Sequence, residues 1–252
     1  MRLLQSKVSV IMPAYNEGDR IRESLLITAR LFRKAKCNFE IILVDDGSQD
    51  DTYDQANLVA KEDDAVKVIR HLTNHGKGGA LLTGFKQATG DFVVFLDSDL
   101  DLPPEQLRRL FRIMRDQKAD VLIGSKWHPE AKINYPRRRK IISKTYSFIL
   151  WLLFRLPLKD TQTGLKIFRY EVLQKVYDRV LCKRFAFDVE VLANVHRLGY
   201  KIVEAPAIVQ FRRQVRWGKI TLKDVYYTGL DTLAIFYRLH IRKYYDRKQT
   251  DA

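Results

Sequence analysis

Two cysteines and five histidines in 252 residues, and no run of about 20 apolar residues, set the first limits on this chain. Cys37 and Cys182 lie far apart, form no C-x-x-C pair and stand among scattered histidines, so neither a disulfide framework nor a zinc site is indicated. Both are expected to be buried structural thiols. Met1 to Lys7 lacks the apolar stretch of a signal peptide and runs directly into a strand, which places the expected location in the cytoplasm. No segment is long and apolar enough to anchor the chain, so any attachment to a membrane would be peripheral, and firmer attachment would fall to a separate membrane-anchoring protein. Internal repeats and low-complexity tracts are missing too. No G-x-G-x-x-G follows the first strand, and Gly76-Lys77-Gly78 lacks the spacing of a Walker loop.

Negative charge is also in short supply. Against 45 Lys and Arg stand 30 Asp and Glu, a formal charge of +15 that calls for a polyanionic neighbour. The excess is uneven. It collects in Lys126 to Lys144, where Arg137, Arg138, Arg139 and Lys140 are consecutive, and again from Arg238 to Lys248, while the first hundred residues are nearly balanced.

What is present reads as one large α/β domain with ample core. Strands are expected at Val8–Met12, Phe39–Val44, Val66–Arg70, Phe92–Leu96 and Val121–Gly124, with helices near Glu17–Lys36, Asp50–Lys61, Ala80–Ala88 and up to Gln117 between them. Such alternation implies a mostly parallel, Rossmann-like central sheet with helices on both faces. After Lys126 the alternation stops. There follow a basic loop, an amphipathic stretch Arg137–Arg155, a strand Leu165–Phe168, a helix Phe187–Arg197, a strand Lys201–Val203 and a carboxy-terminal helix Leu222–Tyr245.

Chemistry is concentrated where the apolar run ending at Leu96 gives way to Asp97-Ser98-Asp99-Leu100-Asp101. Ligands of open α/β sheets bind just beyond the carboxyl ends of the strands. Three carboxylates at spacing two crowd one another unless a cation sits among them, and hard oxygen donors favour Mg²⁺ or Mn²⁺. Taken alone, the segment also reads as an acidic turn with Asp101 capping the next helix. Two further strand ends carry polar residues, Pro13-Ala14-Tyr15-Asn16-Glu17 and Asp45-Asp46-Gly47-Ser48, although Asp45 and Asp46 would serve equally as a turn and cap.

The three strand ends together resemble the family 2 glycosyltransferases of GT-A fold over nearly the entire chain, and within them the polyprenyl-phosphate sugar synthases of dolichyl-phosphate mannose and glucose type. The resemblance implies a GT-A catalytic domain over 1–220, with a nucleotide-sugar half 1–126 and an acceptor half 127–220, followed by a basic amphipathic helix in 221–252. It implies that Pro13, Tyr15, Glu17 and Asp45 hold a nucleoside, that Asp97 with Ser98 and Asp99 meet the diphosphate through Mg²⁺ or Mn²⁺, and that Asp101 adds a metal contact. Downstream, Gly124-Ser125-Lys126 resembles a G-S-R phosphate element with Lys for Arg. Asp160 to Lys166 resembles a T/S-G-F/L-K/R element, and Phe187-Asp188-Val189-Glu190 an acidic helix start beneath the sugar. Arg213 and Lys219 resemble a basic loop that closes on the donor diphosphate. As a solvated edge strand, Arg213 would have no such duty.

The implied reaction is metal-dependent, inverting transfer of a hexose from GDP-mannose or UDP-glucose to polyprenyl phosphate. By the same resemblance Arg138, Arg139 and Ser143 hold the acceptor phosphate. Guanidinium groups suit that task because they clamp phosphate oxygens two at a time. Lys77 is open between a phosphate ligand and a plain loop charge. The stretch Tyr146–Phe154 and the basic, aromatic tail fit an anionic membrane surface at headgroup level, the alternative being helices that cover the core. One rival is a family 2 enzyme acting on a sugar hydroxyl, which would need a base, with Asp188 the candidate. The other, a nucleic-acid-binding module, lacks any matching motif, and the acidic strand ends would repel a phosphate backbone.

Overall fold

The computed structural model describes residues 6–131, 137–210 and 222–247, with side chains left aside at 137–144, 222–225 and 247. Among these residues seven strands form one sheet: β1 (Lys7–Ala14), β2 (Asn38–Asp45), β3 (Val66–Arg70), β4 (Phe92–Phe95), β5 (Val121–Ser125), β6 (Lys166–Arg169) and β7 (Ile202–Pro206). Their order across the sheet is β3-β2-β1-β4-β6-β5-β7. β1, β2, β3 and β4 run parallel, as do β5 and β7, while β6 runs antiparallel to both β4 and β5. The mostly parallel sheet expected from the alternation is therefore present, with one reversed strand at the place where that alternation breaks down.

Side-chain alternation along the strands splits the apolar residues between two layers. On one face Ile11, Ile42, Val44, Val93 and Phe95 meet helices α3 (Lys77–Lys86), α5 (Arg137–Phe154), α6 (Tyr170–Tyr177) and α7 (Phe187–Arg197). On the other Val8, Val10, Met12, Ile41 and Leu43 meet α1 (Ile21–Lys34), α2 (Thr52–Glu62) and α4 (Leu107–Asp116). Strands covered on both sides need no polar face, which explains their continuous apolar runs.

Several boundaries differ from expectation. α1 begins at Ile21 because Glu17–Arg20 is a turn in which the Glu17 carbonyl accepts from the Arg20 and Ile21 amides. α3 begins at Lys77, three residues early, and α6 was not foreseen. The expected single helix at the carboxyl end is three pieces: α8 (Leu222–Phe236), a π-helical turn Tyr237–Ile241, and α9 (Tyr244–Arg247). Lys243, with φ of 50°, breaks the run before α9. Cys182 is buried as expected, whereas Cys37 is only half-buried.

Candidate active site

Because β1, β2, β4 and β5 point the same way, their last residues and the first residue of the reversed β6 share one edge of the sheet. Ala14 pairs with Asp45, and Lys166 lies opposite both Phe95 and Ile123. The loops after β1 and β2 are stitched together: Asn16 and Glu17 amides donate to Ser48 Oγ and Thr52 Oγ1 at 2.9 and 2.8 Å, and the Gln49 amide returns a bond of 2.9 Å to Asn16 Oδ1. Tyr15 is exposed at this edge, Pro13 half-buried and Glu17 buried. Asp45 is fully enclosed. Its Oδ1 accepts the Ser48 amide at 3.0 Å, while Oδ2, 3.4 Å from Arg70 Nε, accepts no hydrogen bond.

At the tip of β4 the charges alternate. Asp97 Oδ1 lies 2.5 Å from Lys77 Nζ, and Lys166, buried at the start of β6, pairs with buried Asp188 at 2.7 Å. Burial pushes the Asp97 carboxyl up, but the Lys77 ammonium, helped by Lys166 and Lys126, holds it below the usual range. Asp99 goes the other way. Partial burial, reinforced by the negative charges of Asp97, Asp101 and Glu17, raises it to about 6 against a single helping bond from the Asp101 amide at 3.1 Å.

Gly164 comes so close to Asp97 that a β-carbon there would stand 1.8 Å from its Oδ2. That contact gives the glycine of the Thr163-Gly164 element a physical reason. Asp160, at the head of the same element, accepts the Lys126 amide at 2.8 Å, and the Asp160 and Lys159 amides donate to the Glu204 carboxylate. Lys126 is thereby fixed by its backbone while its half-buried side chain adds positive charge near Asp97.

The structure thus gathers Asp97, Asp99, Lys126 and Asp188 of the expected set, together with Lys77, which the sequence left open between two roles, and Lys166, the last residue of the Asp160–Lys166 element. Ser98 is buried between the two carboxylates. Among the described residues, no three His, Cys, Asp or Glu side chains are arranged to hold a metal, so Asp97, Asp99 and Asp101 do not form a ready three-carboxylate cage. Arg213 and Lys219 lie outside the described residues, and Arg138, Arg139 and Ser143 fall in the opening turns of α5 where side chains are left aside. Glu190, expected beneath a sugar, turns elsewhere: it accepts from the Leu181 and Cys182 amides, Arg238 and the Tyr245 hydroxyl, tying the carboxyl-terminal segment to α7.

Lys77 carried a usable signal, a lysine inside a glycine run just after a strand. Lys166 carried another, a cation opening a short apolar strand.

Residues 9–177 match the family described as Glycosyl transferase family 2. The chain is 30% identical to glycosyltransferase AglD of Haloferax volcanii over 97% of its own length, but spans only 39% of that protein. It is 36% identical to the undecaprenyl-phosphate mannosyltransferase of Micrococcus luteus, covering 79% of this chain and 82% of that one. Against the dolichyl-phosphate beta-glucosyltransferase of Drosophila melanogaster the identity is 32%, over 85% and 68%. Among solved structures, a Pyrobaculum calidifontis mannosyltransferase in complex with GDP-mannose and Mn²⁺ superposes with a TM-score of 0.61 at 20% identity, over 94% of this chain and 64% of that one. Glucosyl-3-phosphoglycerate synthase of Mycobacterium tuberculosis, in complex with Mn²⁺, UDP-glucose and phosphoglyceric acid, does so at 0.67 and 19%, over 92% and 79%. These likenesses show a shared GT-A fold.

Proposed function

The chain belongs to glycosyl transferase family 2, and on that ground we propose that it moves a hexose, with inversion, from GDP-mannose or UDP-glucose to a polyprenyl phosphate. The observation that carries this is the crowded Asp97–Asp99 pair at the carboxyl edge of the sheet, flanked by Lys77 and Lys126. Two hard carboxylates, with Asp99 lifted to about 6 by burial and by the negative charge of Asp97 beside it, fit Mg²⁺ or Mn²⁺. A cation bound there would supply positive charge for a departing nucleoside diphosphate. Relatives named for mannosyl and glucosyl transfer to undecaprenyl and dolichyl phosphates support the class of acceptor and leave both sugars in play.

In this reading the bond between the anomeric carbon and the donor's diphosphate breaks as an oxygen of the lipid phosphate bonds to that carbon from the opposite side. The second pKa of a phosphate ester is about 6, so the attacking oxygen is already ionised and no strong base is required. Asp188 agrees with that: the candidate base for a hydroxyl acceptor is held by Lys166. Tyr15, Glu17 and Asp45 serve the nucleoside end, where Asp45 Oδ2 accepts no hydrogen bond from the chain itself. Lys77 and Lys126 face the phosphates. Arg138, Arg139 and Ser143 take the acceptor phosphate, by resemblance, at the start of α5. The assay is transfer of radiolabelled hexose from each sugar nucleotide to a short polyprenyl phosphate; label passing only to water or to a free sugar hydroxyl would refute the assignment.

The acceptor is a lipid, and two helices offer it a surface. On α5 Phe148, Trp151 and Leu152 are exposed while Leu150 and Phe154 are buried, and on α8 and its continuation Tyr226, Leu230, Leu233, Tyr237 and Ile241 form an exposed stripe. The helices pack together through Tyr146 and Thr232, whose hydroxyls are 2.9 Å apart, and through the Phe154 and Phe236 rings. No helix among the described residues is long and apolar enough to cross a membrane. The stripes, beside the basic run Arg137–Lys140, suit peripheral contact with the anionic cytoplasmic face of one. Replacing Trp151 by Glu should reduce co-sedimentation with phosphatidylglycerol vesicles roughly tenfold, at unchanged thermal stability.

A further inference from the structure

Lys77 occupies an electrostatically awkward place. It is the first residue of α3, where the helix dipole disfavours a cation, yet its ammonium is aimed at Asp97. The turn behind it is fixed without slack. Gly76 has φ of 83°, and a β-carbon there would meet the Lys183 carbonyl oxygen at 2.6 Å. One on Gly78 would meet Phe187 Cβ at 2.5 Å, and one on Gly79 would meet His75 Cβ at 2.8 Å. The Asp46 carboxylate accepts the His75 and Gly76 amides at 2.9 and 2.8 Å and lies 2.7 Å from His71 Nδ1, whose other ring nitrogen is 2.9 Å from Thr83 Oγ1. Asp46, expected only as a turn residue, is therefore the anchor of the Lys77 turn.

Resting on the reading of Asp97 and Asp99 as cation ligands, we infer that Lys77 is the built-in counter-ion of Asp97, that a divalent cation competes with it for that carboxylate, and that the displaced ammonium then serves the donor's diphosphate. The pair is open enough for exchange, with about a quarter of the Lys77 side chain and a third of that of Asp97 exposed. Reached by water on that exposed part, the pair can be exchanged for a doubly charged ion, whose attraction to the same carboxylate is stronger. The fixed turn keeps the released ammonium next to the same carboxylates, where an anion bridged to the cation would lie.

The test is titration of the metal-free full chain with Mn²⁺, followed by paramagnetic resonance, for the wild type, Lys77→Met and Lys77→Arg, with a second titration of GDP and UDP at saturating Mn²⁺. Lys77→Met should bind Mn²⁺ roughly tenfold more tightly and the nucleoside diphosphates roughly tenfold more weakly, while Lys77→Arg stays near the wild type in both. A merely structural lysine would weaken both ligands together. Unchanged or weaker Mn²⁺ binding in Lys77→Met overturns the inference while leaving the carboxylates as ligands. Absence of Mn²⁺ binding in every form, even with nucleoside diphosphate present, overturns the ligand assignment and this inference with it. Should Lys77→Met fail to fold, Lys77→Gln, which keeps a hydrogen bond to Asp97, carries the same two expectations.

Discussion

Two carboxylates in the same sheet are treated in opposite ways. Glu40, near the start of β2, accepts Ser9 Oγ at 2.7 Å and the Thr89 amide and hydroxyl at 2.8 Å each, and is paired with Lys67 at 3.0 Å and Lys7 at 3.3 Å. Burial alone would raise its pKa, but these partners bring it down to about 2. Asp99, past the far end of β4, has one amide donor and three negative neighbours, and rises to about 6. At the first end the carboxylate is fully partnered; at the other, beside the Lys77–Asp97 and Lys166–Asp188 pairs, Asp99 is crowded by like charge. A buried carboxylate with all its partners in place fastens strands together, whereas one crowded by its own kind costs stability until a ligand balances it.

The sharpest way to break this contrast is to neutralise each carboxylate in turn. Asp99→Asn should lower hexose transfer by about three orders of magnitude through lost charge compensation in the transition state. Its thermal midpoint, followed by circular dichroism, should hold or rise, because a repulsion is removed. Glu40→Gln should do the reverse, costing about 2 kcal/mol in urea unfolding while kcat per folded molecule is unchanged. A smaller effect separates the two by pH. The raised pKa of Asp99 means the folded state binds a proton more readily than the unfolded one, so this residue's destabilisation is absent below its ordinary value of 3.8 and complete above about 6. The metal-free chain should therefore lose urea resistance between about pH 4 and about pH 6, and Asp99→Asn should lack that loss. Glu40 contributes stability that is complete above its ordinary 4.5 and disappears as pH falls towards about 2, in wild type and Asp99→Asn alike.

How much of this was legible in the sequence depended on whether a signal was local. The strand ends were, because an apolar run followed by Asp97-Ser98-Asp99 states both the strand and its exit, and parallel pairing then forces the Asp45 and Asp97 loops to one edge. The reversed β6 was not. Lys166–Arg169 reads the same in either direction, and only its pairing with β4 and β5 sets the orientation. Partnerships across the fold were equally hidden. Asp188 and Glu190 look alike at the start of α7, yet one turns to Lys166 and the other to Arg238 and Tyr245, because residues two apart on a helix face different neighbours. Gly164 was visible as part of an element, but its cause, the Asp97 carboxylate, comes from another strand.

The carboxyl edge of the sheet holds Asp99 crowded by like charge, while the other end holds Glu40 with its partners in place. Side-chain carboxyl carbons can be followed individually by NMR as pH is varied, on metal-free protein and again with Mg²⁺. Asp99 should titrate near 6 without metal and fall back towards or below the ordinary carboxylate range with Mg²⁺, while Glu40 stays near 2 in both. An Asp99 that titrates at its ordinary value without metal, or that ignores Mg²⁺, would contradict this contrast.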